Sequence, residues 1–227
     1  MLAAVGRVRA RRVLDVGAGE GRFTRLLAAR GAASVVGVDL APALVAAARR
    51  RARALPRQER QRVAYRAGDG ARLGALADQS FDVVISYLSW MHFPDAARPA
   101  REWARLLVPR GTVAIALPHP FTQAPGTRWM LEAPPVPEAG APRLAWLAAG
   151  RYFDGGDTRF RFQPSFPALT RNFHRPLSVW SEALASAGLW IERLWEPRPT
   201  AAQARAEPRW LPYREQPYFL VLRARKV

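Results

Sequence analysis

Short runs of β-branched and apolar residues punctuate the chain, and the stretches between them carry apolar positions three and four apart. The runs are Val13 to Val16, Ser34 to Asp39, Val63 to Ala67, Phe81 to Ser86, Thr112 to Leu117, Leu189 to Trp195 and Tyr218 to Arg223. Runs of this length and type predict strands. Between them, Phe23, Leu26 and Leu27 keep helical spacing, and Ala41 to Ala54 is rich in Ala and Arg. Ala96 to Leu107 places Trp103, Leu106 and Leu107 on one side, with Val108-Pro109-Arg110-Gly111 as its stop, and Gly188 stops Ser178 to Ala187. Strands alternating with helices predict the α/β class, its strands parallel and covered on both faces.

Residues 118–177 break the alternation. Pro118, Pro120, Pro125, Pro134, Pro135, Pro137 and Pro142 exclude a long helix there, and aromatic residues are interleaved. Thr158 to Gln163 alternates strictly, which predicts a half-exposed strand. Pro164 to Pro167 reads as a turn, and Thr170 to Phe173 as a strand that pairs back. An insertion after the fifth strand would lie over the carboxyl ends of the sheet, where open α/β sheets bind ligands. It is read as a substrate cap within a single domain spanning 1–227. Pro197 to Pro217 reads as irregular, and no internal repeat is found.

The first strand runs into Asp15-Val16-Gly17-Ala18-Gly19-Glu20-Gly21. Glycines at alternate positions let the backbone turn sharply and a ligand come close. A dinucleotide fingerprint would put its last Gly at position 22, where this chain has Arg. An acid at the end of the second strand, Asp39, lies about twenty residues past the glycines, where a doubly wound fold grips a ribose; it also suits a helix N-cap ahead of Pro42. Gly68-Asp69-Gly70 follows the third strand and makes an ordinary turn as well as a ligand contact.

In Asp-x-Gly-x-Gly-x-Gly, and in Phe81-Asp-Val-Val-Ile85 followed by Leu88-Ser-Trp-Met-His-Phe-Pro-Asp95, the chain resembles the class I S-adenosylmethionine-dependent methyltransferases, small-molecule branch. Residues 105–113 and 174–189 resemble the family's lead into its fifth and sixth strands. The likeness covers about 12–118 and 174–225; the cap matches only in position. It implies a Rossmann-like seven-stranded, mostly parallel sheet with helices on both faces and the last strand antiparallel. It further implies S-adenosyl-L-methionine as cofactor and S-adenosyl-L-homocysteine as product. Asp15, Gly17, Gly19, Glu20 and Gly21 would hold the methionine part, Asp39 the ribose, and Leu40 with Gly68, Asp69 and Gly70 the adenine; Ser86 closes the fourth strand beside them. The family's usual helices before the first motif are missing here, so the resemblance implies a more open site, or one closed by the cap or a partner chain.

The net charge of +17 changes the picture less than its size suggests. Nearly all of it is Arg, spread along the whole chain, with Lys226 the only lysine. The densest cluster, Arg49 to Arg62, suits a solvated helix end or a polyanion site. The Asn- or Asp-Pro-Pro-aromatic pattern of amino-methylating enzymes of nucleic acid is absent after the fourth strand, so no specific nucleic-acid partner is expected. The absence of Cys excludes disulfides, Cys-based metal sites and a Cys nucleophile. No apolar run reaches the roughly 20 residues of a membrane span, and no signal peptide is expected, which makes a cytoplasmic protein the expectation.

Asp15, Glu20, Asp39 and Asp69 converge on one edge in a basic chain, which suits a sulfonium cation. A methyl acceptor that bears a proton needs a base, and His is the natural one. The candidates are His92 after the fourth strand, His119 between Pro118 and Pro120, and His174 at the cap exit; Tyr87, Tyr152, Asp154 and Asp157 are weaker ones. No His pair has metal-ligand spacing, so no metal is expected. Three functions remain in view: a small-molecule O-, N- or C-methyltransferase, an RNA-modifying methyltransferase, and a cofactor-binding protein that no longer methylates. The acceptor and the oligomeric state are open.

Overall fold

The computed structural model describes residues 1–132, 143–148, 150–160 and 169–227. The chain divides into two units, one of residues 1–117, 179–194 and 221–227, the other of 118–178 and 195–220.

The first unit is built on strands β1 (Arg12–Val16), β2 (Ser34–Asp39), β3 (Val63–Ala67), β4 (Phe81–Tyr87), β5 (Leu107–Pro118), β10 (Leu189–Trp195) and β11 (Phe219–Lys226). They form one sheet in the order β10-β11-β5-β4-β1-β2-β3, mostly parallel, with the last strand antiparallel. β1 lies centrally, parallel to β2 on one side and to β4 on the other, with Asp15 between Gly37 and Ile85. Val13, Leu14 and Val16 are fully buried, as the unbroken apolar run requires of a strand covered on both faces. The strand order reverses between β1 and β4, and a doubly wound sheet opens its ligand crevice at such a point.

Helices α2 (Arg22–Ala29), α3 (Pro42–Ala52), α5 (Ala97–Leu106) and α7 (Leu177–Ala185) belong with this sheet, as do the short α1 (Leu2–Val5) and α4 (Arg57–Arg60). Trp103 of α5 and Trp180 of α7 meet Trp90 at ring distances of 5.5 and 4.5 Å, all three buried. This cluster fixes the loop after β4.

One expectation fails at the start of β5. Pro109-Arg110-Gly111 does not end a helix in a loop; it lies within β5, which begins at Leu107. The pairing with β4 shifts register between Phe81 and Val83. Arg110 takes a left-handed φ of 63°, so the surplus residues bulge outward and the strand continues.

In the second unit, the short α6 (Pro120–Gln123) precedes two antiparallel pairs, β6 (Arg128–Glu132) with β7 (Arg143–Ala148), and β8 (Gly156–Phe160) with β9 (Thr170–His174). Thr158 to Phe160 lie in β8, while the rest of the expected strand, the Pro164–Pro167 turn and Pro134, Pro135, Pro137 and Pro142 lie outside the described residues. Residues 197–217 are not irregular throughout. Helix α8 (Ala201–Ala206) opens with a capping box between Thr200 and Gln203. Of its residues only Ala204 is buried, so no apolar periodicity announces it. No helix among the described residues is long and apolar enough to cross a membrane.

Candidate functional site

The carboxyl ends of β1, β2 and β3 carry the glycine turn and the acids. Gly17, Gly19 and Gly21 all have positive φ, 71, 54 and 76°, but they are glycine for different spatial reasons. A Cβ on Gly17 would fall 2.2 Å from the Ser89 side chain, and one on Gly21 2.6 Å from the Tyr65 ring. A Cβ on Gly19 would meet nothing within 4 Å. Gly17 and Gly21 are therefore packed against the protein, and Gly19 alone faces free space.

Asp39 ties the turn to the second strand. Its Oδ2 accepts the Gly19 N–H at 2.7 Å and its Oδ1 the Ala41 N–H at 2.9 Å. The second bond closes a turn just ahead of α3, whose N-cap is Ala41 without a side-chain cap, so Asp39 is not the N-cap that the sequence suggested. A carboxylate has about four acceptor positions, which leaves Asp39, half-buried, able to receive two more donors. Leu40 follows it, 74% exposed although apolar. Asp69 holds the Ala71 N–H at 2.9 Å and stays partly exposed. Gly70 is tight against Val16, 2.4 Å for a Cβ, whereas Gly68 has room.

Asp15 does something else. It is buried, and its Oδ2 accepts the Thr24 hydroxyl at 2.6 Å. Burial raises its carboxyl to about 6, with the nearby Asp39 charge adding and Thr24 opposing. Asp15 thus fastens the start of α2 to the sheet and positions the turn from beneath. Two expected site residues do not join it. Glu20, half-exposed, points to Arg51 and is ion-paired with it. Ser86 is fully buried with its hydroxyl 2.7 Å from that of Ser89; Ser89 in turn donates to the Val16 carbonyl at 2.7 Å. Ser86 therefore braces the turn from inside and presents nothing outward.

Ser89 and Thr24, which brace the turn and Asp15, are residues that sequence reading did not single out. Leu88 has a left-handed φ of 53°, the strained conformation that turns the chain from Tyr87 to Ser89. Tyr87 meets Phe23 in a tilted ring contact at 4.5 Å, which places two aromatic rings beside the turn.

The three histidines separate by their partners. His92 is half-buried in a 3₁₀ turn, Trp90–His92, of the first unit. His119 and His174 belong to the second unit. The His119 Nδ1 accepts the Phe121 N–H at 3.2 Å and caps α6, and its Nε2 lies 2.9 Å from Glu196 Oε1. Burial lowers its pKa against the pull of Glu196. Both ring nitrogens are thus committed. His174, buried, has its Nε2 2.8 Å from the Tyr152 carbonyl, which can only accept, so the proton sits on Nε2. Its Nδ1 is buried with no hydrogen-bond partner among the described residues. Tyr152 also receives the Leu177 N–H on its hydroxyl at 2.9 Å. Among the described residues no group of three or more His, Asp or Glu could hold a metal ion.

Residues 14–115 match the model of a methyltransferase domain family. A solved S-adenosylmethionine-dependent methyltransferase from Mesorhizobium loti superposes with a TM-score of 0.82 at 29% identity, covering 99% of this chain and 94% of that one. The trans-aconitate 2-methyltransferase of Methylobacterium nodulans is 34% identical over 66% of this chain and 54% of its own length. Methyltransferase GfsG of Streptomyces halstedii is 37% identical over 46% of this chain and 37% of its own. The chain thus matches about half or less of the length of these two relatives. The turn, the strand order and these likenesses point one way: in fold, and in sequence along residues 14–115, the chain matches the class I S-adenosylmethionine-dependent methyltransferases.

Proposed function

We propose that the protein transfers a methyl group from S-adenosylmethionine to a small apolar or aromatic molecule and releases S-adenosylhomocysteine. The observation that carries this reading is the Gly19–Asp39 clasp: backbone open to an incoming ligand, tied to a carboxylate with acceptor capacity to spare. The neighbouring residues fit the same group. Asp39 would receive ribose hydroxyls, the exposed Leu40 would lie against the adenine, and Asp69 would accept its amino group. When bound, the cofactor supplies an electrophilic methyl on a sulfonium. Positioning accounts for most of the rate in such an in-line transfer.

We assign acceptor binding to the second unit, whose aromatic content suits an apolar molecule. Of the histidines of the second unit, His174 is the candidate base we favour, because both ring nitrogens of His119 are engaged. The proposal includes a cytoplasmic setting and no specific nucleic-acid partner. The charge of +17 supports a second reading, methylation of RNA. Transfer of labelled methyl from S-adenosylmethionine to a panel of small aromatic acceptors and to structured RNA distinguishes them. Small-molecule turnover supports the proposal. RNA labelling alone overturns it, and so does cofactor binding without any turnover.

A further inference from the structure

At the opposite end of the sheet, where β1 and β4 begin, the first unit has a cavity of about 260 Å³. Arg7, Arg11, Arg110, Arg223 and Arg225 line it, with Asp82 as the one acid. These residues come from the segment before β1, from β4, from the β5 bulge and from β11. Two carboxylates organise them. Asp82 accepts the Arg12 N–H at 2.8 Å and lies 3.9 Å from Arg11. Glu192 of β10 holds Arg223 at 3.0 Å and is bonded to Arg225. Arg225 also donates to the Arg110 carbonyl at 2.9 Å, and Arg223 to the Ala4 carbonyl at 3.1 Å. Arg7 and Arg110 have no side-chain partner among the described residues. Arg110 is moreover held in a left-handed backbone, φ 63°, which costs a side-chain-bearing residue energy that glycine would not incur. Strain beside unpaired charge is what a binding site retains.

We propose that this cavity binds a di- or triphosphate chain. Five guanidiniums against two carboxylates leave an excess of about three positive charges. A single phosphate group, with about −1.5 to −2, leaves that excess partly unmet; a polyphosphate chain matches it. Guanidinium forks also suit phosphate oxygens bidentately. The site lies a strand's length, roughly 15 Å, from the glycine turn, so its ligand does not compete with the cofactor.

Titration calorimetry on the full chain with tripolyphosphate, ATP and sulfate tests this. Tripolyphosphate should bind at about 0.15 M salt, and sulfate at least about tenfold more weakly. Equal affinity for ATP identifies the phosphate chain as the ligand, and tighter ATP binding a nucleotide source. Arg7→Gln with Arg110→Gln should weaken tripolyphosphate about tenfold or more and leave S-adenosylmethionine affinity unchanged. Arg110→Gly should weaken it too while Tm holds or rises, which separates lost binding from lost folding. Tripolyphosphate affinity weaker than about 1 mM, or unchanged in these variants, overturns the proposal. So does structured RNA binding more tightly than tripolyphosphate and failing in the same variants.

Discussion

The two ends of the parallel sheet have opposite chemistry. At the carboxyl end Asp15, Asp39 and Asp69 stand around glycine backbone; at the amino end five arginines surround Asp82. The acidic end gathers three short strand-end turns, each with its own local signal, and is locked by packing, with Gly17 and Gly70 leaving no room for a methyl group. The basic end is assembled from four distant segments through long, partly exposed side chains. One end is therefore a scaffold whose geometry is expensive to change, and the other a charged surface that tolerates change in fold but not in binding.

Substituting Gly17 tests the first half hardest. Gly17→Ala combines a left-handed backbone with a clash on Ser89, so unfolding stability should fall by about 3 kcal/mol or more, read from urea midpoints. A loss within experimental error would show the turn to be as plastic as the arginine surface.

Asp15→Asn follows in size. In the fold the Asp15 carboxyl keeps its proton up to about pH 6, against 3.8 ordinarily. The folded state thus binds the extra proton between roughly pH 4 and 6, and stability falls as pH rises through that window. Above it, the buried charge costs on the order of 3 kcal/mol. Asn can still accept the Thr24 hydroxyl, so the variant should flatten the slope between roughly pH 4 and 6 and gain stability at neutral pH. An unchanged slope in thermal melts would show that Asp15 is not the group responsible.

Asp39→Ala should weaken S-adenosylmethionine by roughly ten- to a hundred-fold, or about 1.5–3 kcal/mol, by calorimetry. Unchanged affinity removes Asp39 from the site, and tight binding of a nicotinamide dinucleotide contradicts the reading of the turn. The smallest effects sharpen the contrast. Gly19→Ala should cost only about 1 kcal/mol of stability, since nothing stands in its way, yet impair cofactor binding more than its stability cost suggests. Arg110→Gly should gain about 1 kcal/mol, because the left-handed backbone is relieved without loss of a side-chain bond.

How legible each end was follows from the same difference. The glycine turn, Asp39 and the strand–helix alternation could be read because a strand, a tight turn and a helix are local devices with local signals. Asp39 ties the glycine turn to the residue before α3 instead of capping that helix, a role its position in sequence did not announce. Ser86 could not be read correctly, since its hydroxyl is taken up by Ser89, a bond set by the strained turn at Leu88. Glu20 was drawn away by Arg51, thirty-one positions on. His119 and His174 look alike in sequence; only the Phe121 amide and the Tyr152 carbonyl decide which nitrogen is free. The arginine cavity was invisible. Its members are scattered from Arg7 to Arg225, and the densest run of charge, Arg49 to Arg62, lies elsewhere.

The place of β11 in the sheet sets a timetable for synthesis. β5 is complete at Pro118, but the strand that pairs with its free side begins at Phe219, about a hundred residues later. At about 5–20 residues per second a ribosome takes roughly 5–20 seconds over that interval. During it the apolar β5, Val113 to Leu117, has an unpaired edge open to any other extended chain. Nascent chains of this protein therefore pass through a window in which one edge of a half-built sheet lies open, and the last, antiparallel strand is the one that closes it.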